Sequence, residues 1–267
     1  MNFRLDHVVI AVRDLERATS DYRALGFTVQ PGGRHPGRTS HNALVVFNDG
    51  AYIELIAWES PNPAERWNVE HLRNGDGFMD FALIPRDVPR AIEKARSRGL
   101  DLSGPIEGGR VRPDGKELQW RTARQLTFDL PFLCGDITPR ELRVPAGEAR
   151  RHANGATGIS LVLVAVRDID TSIARYAALL GIKTPPPSVS VPNMGLRIAT
   201  FQVGGTAIVL ATPSGPPGSA FAREVAGRLV TREGPCAMAI ATGPDLMAGP
   251  LDRVATHGAL IEWFPQK

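Results

Sequence analysis

Cysteine and long hydrophobic runs are both scarce in this chain of 267 residues. Its two cysteines, Cys134 and Cys236, form no Cys-x-x-Cys pair and are too few for a disulfide framework, so the sequence predicts a reducing, cytoplasmic setting. No stretch approaches the roughly 18 apolar residues of a membrane span. The start, MNFRLDHVV, has neither a basic region nor a long apolar region, and we therefore expect no secretory signal and no membrane partner.

Lysine is also scarce. The chain has four lysines among 31 basic residues, and its formal net charge is only +3. The arginines are spread among Asp and Glu, without the basic block or the aromatic ladder of nucleic-acid binders, so we expect no nucleic-acid partner. Anionic small molecules remain open as ligands, because Arg binds carboxylates through a bidentate fork.

One pattern occurs four times in the sequence. Residues 5–27, LDHVVIAVRDLERATSDYRALGF, combine a β-branched strand, an Asp start signal at Asp14, amphipathic helical spacing and a closing glycine. The same signal returns at Asp87, Asp168 and Asp245, at offsets of 73, 154 and 231 residues. Repeats of this length indicate a duplicated supersecondary unit.

Each unit predicts the element order β-α-β-β-β. In the first unit, strands near 41–47 and 51–58 flank Asn-Asp-Gly, a strong hairpin signal. We therefore expect an α+β fold, with tandem βαβββ units pairing into curled mixed sheets. The predicted domains are 1–138 and a degenerate, shortened copy at 156–267, joined by an aperiodic linker at 139–155. The fourth unit is expected to lack two strands, and its exposed sheet edge favours a homodimer.

A histidine on the first strand and a glutamate on the last strand of a βαβββ unit resemble the vicinal oxygen chelate superfamily. That superfamily includes glyoxalases, extradiol dioxygenases, epimerases and fosfomycin-resistance proteins. The passage GRHPGRTSHNALVVFNDGAYIELIAW looks like the glyoxalase-like domain group, where a similar turn precedes a Tyr-Leu-Glu-Leu strand. Here the strand reads Tyr52-Ile53-Glu54-Leu55.

The resemblance implies a divalent metal inside the first sheet pair, held by His7, Glu54, Asp80 and either Cys134 or its neighbour Asp136. Asp80 and a cysteine depart from the usual residues of the family. One histidine with carboxylates suits Mn, Fe, Ni or Mg better than Zn. Without a metal, Glu54 and His7 could form a buried base and acid pair, or simply hold each other.

The corresponding positions in the second half are apolar. The repeat offsets place Leu161 and Met238 opposite His7, and Val209 opposite Glu54. This half therefore predicts packing and scaffold, with the chemistry confined to residues 1–138.

Four further residues are candidates for substrate binding. His41 and Asn42 follow the Gly-rich loop that precedes a strand, and Trp120 or Arg121 could face a ligand from a strand of the second unit. The sequence predicts a metal-dependent lyase or isomerase acting on a small molecule with vicinal oxygens, with His7 and Glu54 catalytic. Two alternatives remain: a non-catalytic protein that sequesters a small molecule, and an oxidoreductase resembling the extradiol dioxygenases.

Overall fold

Two copies of one β-α-β-β-β unit make up the first half of the protein, seen in a computed structural model that describes residues 3–244 and 248–265. The first unit comprises β1 (Arg4–Ala11), α1 (Leu15–Ala24), β2 (Gln30–Arg34), β3 (Ser40–Val46) and β4 (Tyr52–Trp58). Helix α2 (Arg66–Asn74) leads to the second unit, which comprises β5 (Gly77–Ile84), α3 (Val88–Arg96), β6 (Ser103–Val111), β7 (Glu117–Arg124) and β8 (Phe132–Asp136).

Aspartate caps start the repeated helices, as the sequence predicts. The side chain of Asp14 accepts a hydrogen bond from the backbone N–H of Arg17, and that of Asp87 accepts one from Arg90. Asp168 caps the corresponding helix of the second half. Each cap satisfies a backbone N–H group that the first turn of a helix leaves unpaired.

The eight strands of the first half close into a barrel in the order β1-β4-β3-β2-β6-β7-β8-β5. Strand β1 is parallel to β4 and antiparallel to β5. Val8 faces Phe81 in the antiparallel pair, and these residues are separated by the same 73 positions as the Asp caps. The two units are therefore related by a pseudo-twofold axis through this pair, which makes Asp80 the counterpart of His7.

Two β-bulges interrupt the pairing of β1 with β5. One lies between Leu5 and His7, and the other places Met79 between the paired residues Phe78 and Asp80. A bulge adds one residue to a strand and disturbs the alternation of side chains. As a result, the adjacent residues Asp6 and His7 are both buried at the barrel wall, with relative exposures of 0% and 3%.

Residues 139–155, predicted as a linker, connect the halves and also pack against the barrel. They contain α4 (Arg140–Arg143) and a 3-10 helix at Gly147–Arg150. His152 accepts a hydrogen bond at Nδ1 from the backbone N–H of Thr28, and its Nε2 lies 3.0 Å from the carbonyl oxygen of Val46. Arg143 inserts its side chain into the barrel wall, where it is 3% exposed.

The second half is an open sheet of seven strands, not a barrel. Its elements are β9 (Ala156–Ala165), α5 (Ile169–Leu180), β10 (Val189–Val191), β11 (Leu196–Val203), β12 (Thr206–Pro213), α6 (Ala220–Thr231), β13 (Gly234–Thr242), β14 (Gly249–Pro250) and β15 (Leu260–Pro265). The strand order is β10-β11-β12-β9-β13-β15-β14. Its edge strands β10 and β14 are short, and the homodimer inferred from an exposed edge stays a prediction.

The fourth unit differs from the sequence expectation. Asp245 lies outside the described residues, and residues 248–259 form β14 and turns instead of the expected helix. Strand β15 runs parallel to β13 as β4 runs parallel to β1. The unit therefore keeps its first and last strands. Compared with the first unit, it lacks the helix and most of the middle strand pair.

Helix α6 covers the face of the second sheet that corresponds to the barrel interior. Ala207 faces Leu161 across β12 and β9, just as Tyr52 faces His7 across β4 and β1. On that face Ala222 and Val225 of α6 pack in one apolar cluster, whose other members include Leu163, Leu196, Val209 and Ala211. Leu161 and Val209 are thus part of a helix-on-sheet core. Met238 faces Val162 and lies in the core on the other face of the sheet, so its predicted correspondence to His7 was wrong.

A single larger core joins the two halves. It contains Val8 and Ile53 from the barrel strands, Tyr22 from α1, Val162 from β9 and Tyr176 from α5. Among the described residues, no helix is long and apolar enough to cross a membrane.

Candidate functional site

The barrel encloses a cavity of about 880 Å³. This volume falls in the range of small-molecule sites, about 300–1,000 Å³. Apolar and aromatic side chains line part of the wall, notably Ile56, Trp67, Trp120, Phe132 and Cys134. Polar and charged side chains make up more than half of the lining residues, and they carry the chemistry of the site.

His7 and Glu54 lie side by side on the neighbouring strands β1 and β4. The Nε2 of His7 is 3.4 Å from Oε2 of Glu54, and both side chains are at least nine-tenths buried. The imidazole ring stacks on the ring of Tyr52 at 4.6 Å and meets Phe132 edge-on at 5.3 Å. The structure therefore brings together the two residues that the sequence nominated as catalytic.

Asp6 orients the imidazole of His7 from behind. Its Oδ2 lies 2.7 Å from Nδ1 of His7, which assigns the Nδ1 proton to this contact and leaves Nε2 facing Glu54 and the cavity. A carboxylate at one ring nitrogen fixes the tautomer and the orientation of a functional histidine.

Two arginines from α4 hold Asp6 in its charged form. Arg143 donates to both oxygens of Asp6, at 2.8 and 3.0 Å, and Arg140 donates to Oδ1 at 2.7 Å. Burial alone would raise the pKa of Asp6, but Arg143, His7 and Arg140 outweigh burial and hold this pKa well below its usual value. Asp6 is therefore a permanent anion behind His7.

Arg143 connects this anion to Asp136 and to the phenol of Tyr52. It donates from Nε and Nη2 to Asp136, and from Nη1 to the hydroxyl oxygen of Tyr52 at 2.7 Å. Burial opposes the charge of Arg143, but Asp6 and the other partners outweigh it and raise the pKa of the guanidinium above its usual value. Asp136 is thus a partner of arginines and not of His7 or Glu54.

A second chain of hydrogen bonds fixes Glu54. Asn42 donates from Nδ2 to Oε1 of Glu54, and its own Oδ1 accepts from Arg110 at 3.3 Å. Arg110 in turn donates to the carbonyl oxygen of Arg143 at 3.2 Å. Gly32 permits this close packing, because a Cβ atom at that position would lie 2.0 Å from Oδ1 of Asn42. One carboxylate oxygen of Glu54 is therefore held, while Oε2 faces His7.

His35 approaches the same carboxylate from the loop between β2 and β3. Its Nε2 lies 4.0 Å from Oε1 of Glu54, and its Nδ1 contacts the carbonyl and hydroxyl oxygens of Ser40 at 3.2 and 3.1 Å. Burial is the main cause that lowers the pKa of His35, which favours the neutral imidazole. The ring also packs edge-on against Trp120 at 6.1 Å.

Asp80 lines the same cavity from β5, but its hydrogen-bond partners differ from those of His7 and Glu54. Its Oδ2 accepts a hydrogen bond from Nε1 of Trp67 at 3.2 Å, and its Oδ1 accepts one from the backbone N–H of Phe81 at 2.9 Å. Burial raises the pKa of this carboxyl, although Arg232 and Arg66 oppose the shift. Asp80 lines the cavity, but it does not join the pair of His7 and Glu54.

The fourth expected ligand position is occupied by Phe132. Val9 faces Glu54 across β1 and β4, and Ala82, the counterpart of Val9, faces Phe132 across β5 and β8. Phe132 is therefore the counterpart of Glu54, and the expected choice between Cys134 and Asp136 was wrong on register. Cys134 lines the cavity two residues further on, and burial raises the pKa of its thiol, which keeps it protonated.

These positions do not form the four-residue metal site implied by the family resemblance. His7 and Glu54 lie close enough to share an ion, whereas Asp80 is held by Trp67 and the fourth position is a phenyl ring. Within residues 3–244 and 248–265, no group of three or more His, Cys, Asp or Glu side chains is placed to hold one metal ion. We therefore assign no chemical step to a metal.

The four predicted substrate-binding residues divide by strand alternation. Asn42 and Trp120 line the cavity, whereas His41 and Arg121 are not among its lining residues. Arg121 is 43% exposed and lies 3.7 Å from Glu107. Adjacent residues of a strand point to opposite faces, so each of the two strands contributes one of the two nominated neighbours.

Sequence reasoning missed Asp6, Arg110, Arg143 and Tyr52. The adjacent letters Asp6-His7 were a usable signal, but regular alternation would place the two side chains on opposite faces. Arg143 lay in a segment with no periodicity. For this residue the sequence offered no signal that we can identify.

A sequence model of the glyoxalase-like domain matches residues 5–180. A search of curated proteins found no match. Among solved structures, a hypothetical protein from Staphylococcus aureus superposes with a TM-score of 0.71 at 14% identity, covering 99% of this chain and 100% of that chain.

Two further structures share the fold. A triple mutant of 4-hydroxymandelate synthase from Streptomyces coelicolor has a TM-score of 0.59 at 16% identity, covering 91% of this chain and 71% of that one. A fusion protein of a xylose isomerase-like TIM barrel and a 4-hydroxyphenylpyruvate dioxygenase has a TM-score of 0.53 at 15% identity, covering 90% and 36%. At these identities the likeness shows the fold alone. The family match spans most of the chain, from the first strand of the barrel to helix α5, and the chain therefore belongs to the glyoxalase-like domain family.

Proposed function

We propose that the barrel catalyses a proton transfer on a small molecule with adjacent oxygens, as an isomerase or a lyase, with Glu54 as base and His7 as its acid partner. The observation that carries this proposal is the contact of 3.4 Å between Nε2 of His7 and Oε2 of Glu54 at the wall of the barrel cavity. A base and an acid placed together in a cavity can act on neighbouring atoms of one substrate.

In the proposed reaction, Oε2 of Glu54 removes a proton from the carbon next to a substrate carbonyl. The electron pair of the broken C–H bond moves to the carbonyl oxygen, where the protonated His7 donates from Nε2. In an isomerase acting on a hydroxycarbonyl compound, Glu54 then delivers the proton to the former carbonyl carbon, while His7 takes the hydroxyl proton from the neighbouring carbon, which becomes the new carbonyl. In a lyase, His7 takes back the enol proton as the carbonyl re-forms, and a leaving group departs with its electron pair from the carbon next to the one deprotonated and takes the proton held by Glu54. Asn42 keeps the other oxygen of Glu54 occupied throughout.

Asp6 is the positioning residue of this scheme. Its carboxylate contacts Nδ1 of His7 at 2.7 Å, and its charge stabilises the imidazolium that donates to the substrate oxygen. Because Arg140 and Arg143 fix Asp6 in place, the position of the imidazole is set before a substrate arrives.

Solvent deuterium exchange tests the proposal. Pyruvate, hydroxyacetone, 2-hydroxyacetophenone and 2-oxo-4-phenylbutanoate would be incubated with the protein in D₂O, and incorporation at carbon followed by proton NMR. We expect catalysed exchange of at least one compound, and a loss of about 100-fold or more in Glu54→Gln. Exchange at the protein-free rate with all four compounds, or an unchanged rate in Glu54→Gln, would contradict the proposal.

A second candidate is a binding protein without catalysis. The aromatic wall formed by Trp67, Trp120 and Phe132 favours it, since such side chains bind an apolar or aromatic compound through its surface. This function requires saturable binding that Glu54→Gln does not weaken. It also requires that no compound of the panel exchange.

A further inference from the structure

We propose that Arg38, Arg66 and Arg124, termed here the rim arginines, form a carboxylate-binding subsite in the barrel cavity, so that the substrate is a small carboxylic acid. This inference rests on the proposed function, which supplies the reaction, and it adds the chemical class of the substrate. All three side chains line the same cavity as His7 and Glu54. They come from three separate segments: the loop before β3, the start of α2 and the end of β7.

The rim arginines lack ion-pair partners. Among the described residues, none of the three has a carboxylate oxygen within 4.0 Å, although most arginines of the chain that are partly buried do. An arginine beside a cavity without an acidic partner is available to an incoming anion. Its planar fork matches a carboxylate with two parallel hydrogen bonds.

Arg66 is held in position while part of its guanidinium stays unpaired. Its Cζ lies 3.4 Å from the ring centroid of Phe128, and its Nη1 donates to the carbonyl oxygen of Gln125 at 3.1 Å. Its Nη2 is buried and has no hydrogen-bond partner among the described residues. An unpaired buried donor costs free energy, and an anion bound beside it offsets that cost.

The rim arginines also repel one another. Burial is the main cause that lowers the pKa of Arg66 and of Arg124, and Asp80 opposes the shift in both. Arg124 adds to the shift of Arg66, and Arg38 adds to that of Arg124. A bound carboxylate relieves this repulsion. Two acids of the cavity lining already accept hydrogen bonds: Glu65 from Thr39, Asn62 and Trp58, and Asp80 from Trp67 and Phe81. Glu107 and Glu117 also line the cavity.

The alternation of β7 separates a rim arginine from a matched control on the same strand. Trp120, Thr122 and Arg124 line the cavity, whereas Arg121 is not among its lining residues and approaches Glu107. The same substitution at Arg121 therefore removes one charge from the same strand without removing a rim arginine, and the ion pair that it breaks is with Glu107, another lining residue.

The test compares benzoate with benzamide, which has a similar size and shape but no charge. Binding to the full chain would be measured by calorimetry at low ionic strength, where exposed charges are least screened. We expect saturable benzoate binding that weakens about tenfold in Arg124→Gln and in Arg66→Gln, and stays unchanged in Arg121→Gln. Benzamide should bind more weakly than benzoate, and equally to all four proteins.

Three results would overturn the subsite: no benzoate binding to the unmodified chain, equal affinity for benzoate and benzamide, or unchanged benzoate affinity in Arg124→Gln. If Arg66→Gln fails to fold because it loses its packing on Phe128, Arg124→Gln alone decides the outcome. Glu54→Gln separates this inference from the proposed function. If Glu54→Gln still binds benzoate, the subsite stands even when no compound shows deuterium exchange. If exchange is catalysed but Arg124→Gln binds benzoate as tightly as the unmodified chain, only the subsite is refuted.

Discussion

The two halves of this chain are built from the same βαβββ unit but form different structures. The first closes eight strands around a cavity with His7 and Glu54 on its wall, whereas the second stays open and packs α6 on the corresponding face. Helix α6 presents Ala222 and Val225 to its sheet, while the equivalent connection α2 contributes Arg66 and Trp67 to the lining of the cavity. The comparison shows that the repeat specifies the sheet, and that the connection between units decides whether its inner face becomes a site or a core.

The polar groups of the first half are stabilised from outside the repeat. Arg140 and Arg143 come from the segment after the second unit, and they neutralise Asp6 and Asp136 behind the site. Buried carboxylates require such partners. The second half, whose corresponding face is apolar, needs no equivalent.

Arg143→Met should give the largest effect. The substitution leaves Asp6 buried with only Arg140 and His7 as charged partners, and we expect a loss of about 3–5 kcal/mol in the free energy of unfolding, measured with urea. Arg197→Met in the second half is the control, because Arg197 pairs with the exposed Asp170 and should cost less than about 1 kcal/mol. Similar losses of unfolding free energy in the two variants would show that the buried Arg143 network stabilises the protein no more than an exposed ion pair does.

Glu54 and Val209 occupy equivalent positions, and exchanging their residue types tests whether the two sheet faces differ as environments. Val209→Glu places an unpaired carboxylate between the sheet and α6, and should destabilise the protein by about 3 kcal/mol. Glu54→Val removes the acceptor of Asn42 at a cavity wall and should cost about 1–2 kcal/mol, because one buried donor is left unpaired. Thermal and urea unfolding measure both, and equal costs would mean that the two faces are not different environments.

Asp6→Asn tests the charge behind His7 through pH. The pKa of Asp6 is lower in the folded protein than in the unfolded chain, so its carboxylate stabilises the fold above about pH 5 and loses this effect as the pH falls through the folded value. At pH 7 the variant should be less stable than the unmodified chain by about 2 kcal/mol. This gap should shrink steadily towards pH 2 in unfolding experiments, and a gap independent of pH would refute the role of the charge.

Removal of divalent metal should have the smallest effect. Since the described residues offer no group of three or more metal-ligating side chains, dialysis against EDTA should leave the unfolding temperature and the deuterium exchange rate unchanged. Addition of Mn²⁺ or Ni²⁺ should likewise not raise the unfolding temperature. A rise that His7→Ala abolishes would instead restore a metal at the position of His7 and Glu54.

Much of this organisation could be predicted from local sequence. The Asp caps and the offset of 73 residues predicted the paired units, and the register of Val8 with Phe81 confirms that offset. His7 and Glu54 could be nominated because polar residues stood out in apolar strands. The apolar counterparts Leu161 and Val209 were also correctly placed on the matching face of the second sheet.

The remaining features depend on geometry that a sequence does not display. A bulge turns Asp6 towards the site, and a shift in strand register decides whether Phe132 or Cys134 is the counterpart of Glu54. Arg143 reaches the site only because a segment without periodicity folds back against the barrel. Such contacts join residues far apart in the chain, which local patterns cannot specify.

The most direct test of the account applies one isosteric change to each half. Glu54→Gln alters the barrel wall, and Glu262→Gln alters a partly buried glutamate of β15 in the second sheet. Deuterium exchange would be measured for both variants with the compound that the unmodified protein exchanges fastest. The account predicts a loss of about 100-fold or more in Glu54→Gln and a rate within about twofold of the unmodified protein in Glu262→Gln. Equal rates in the two variants would contradict it.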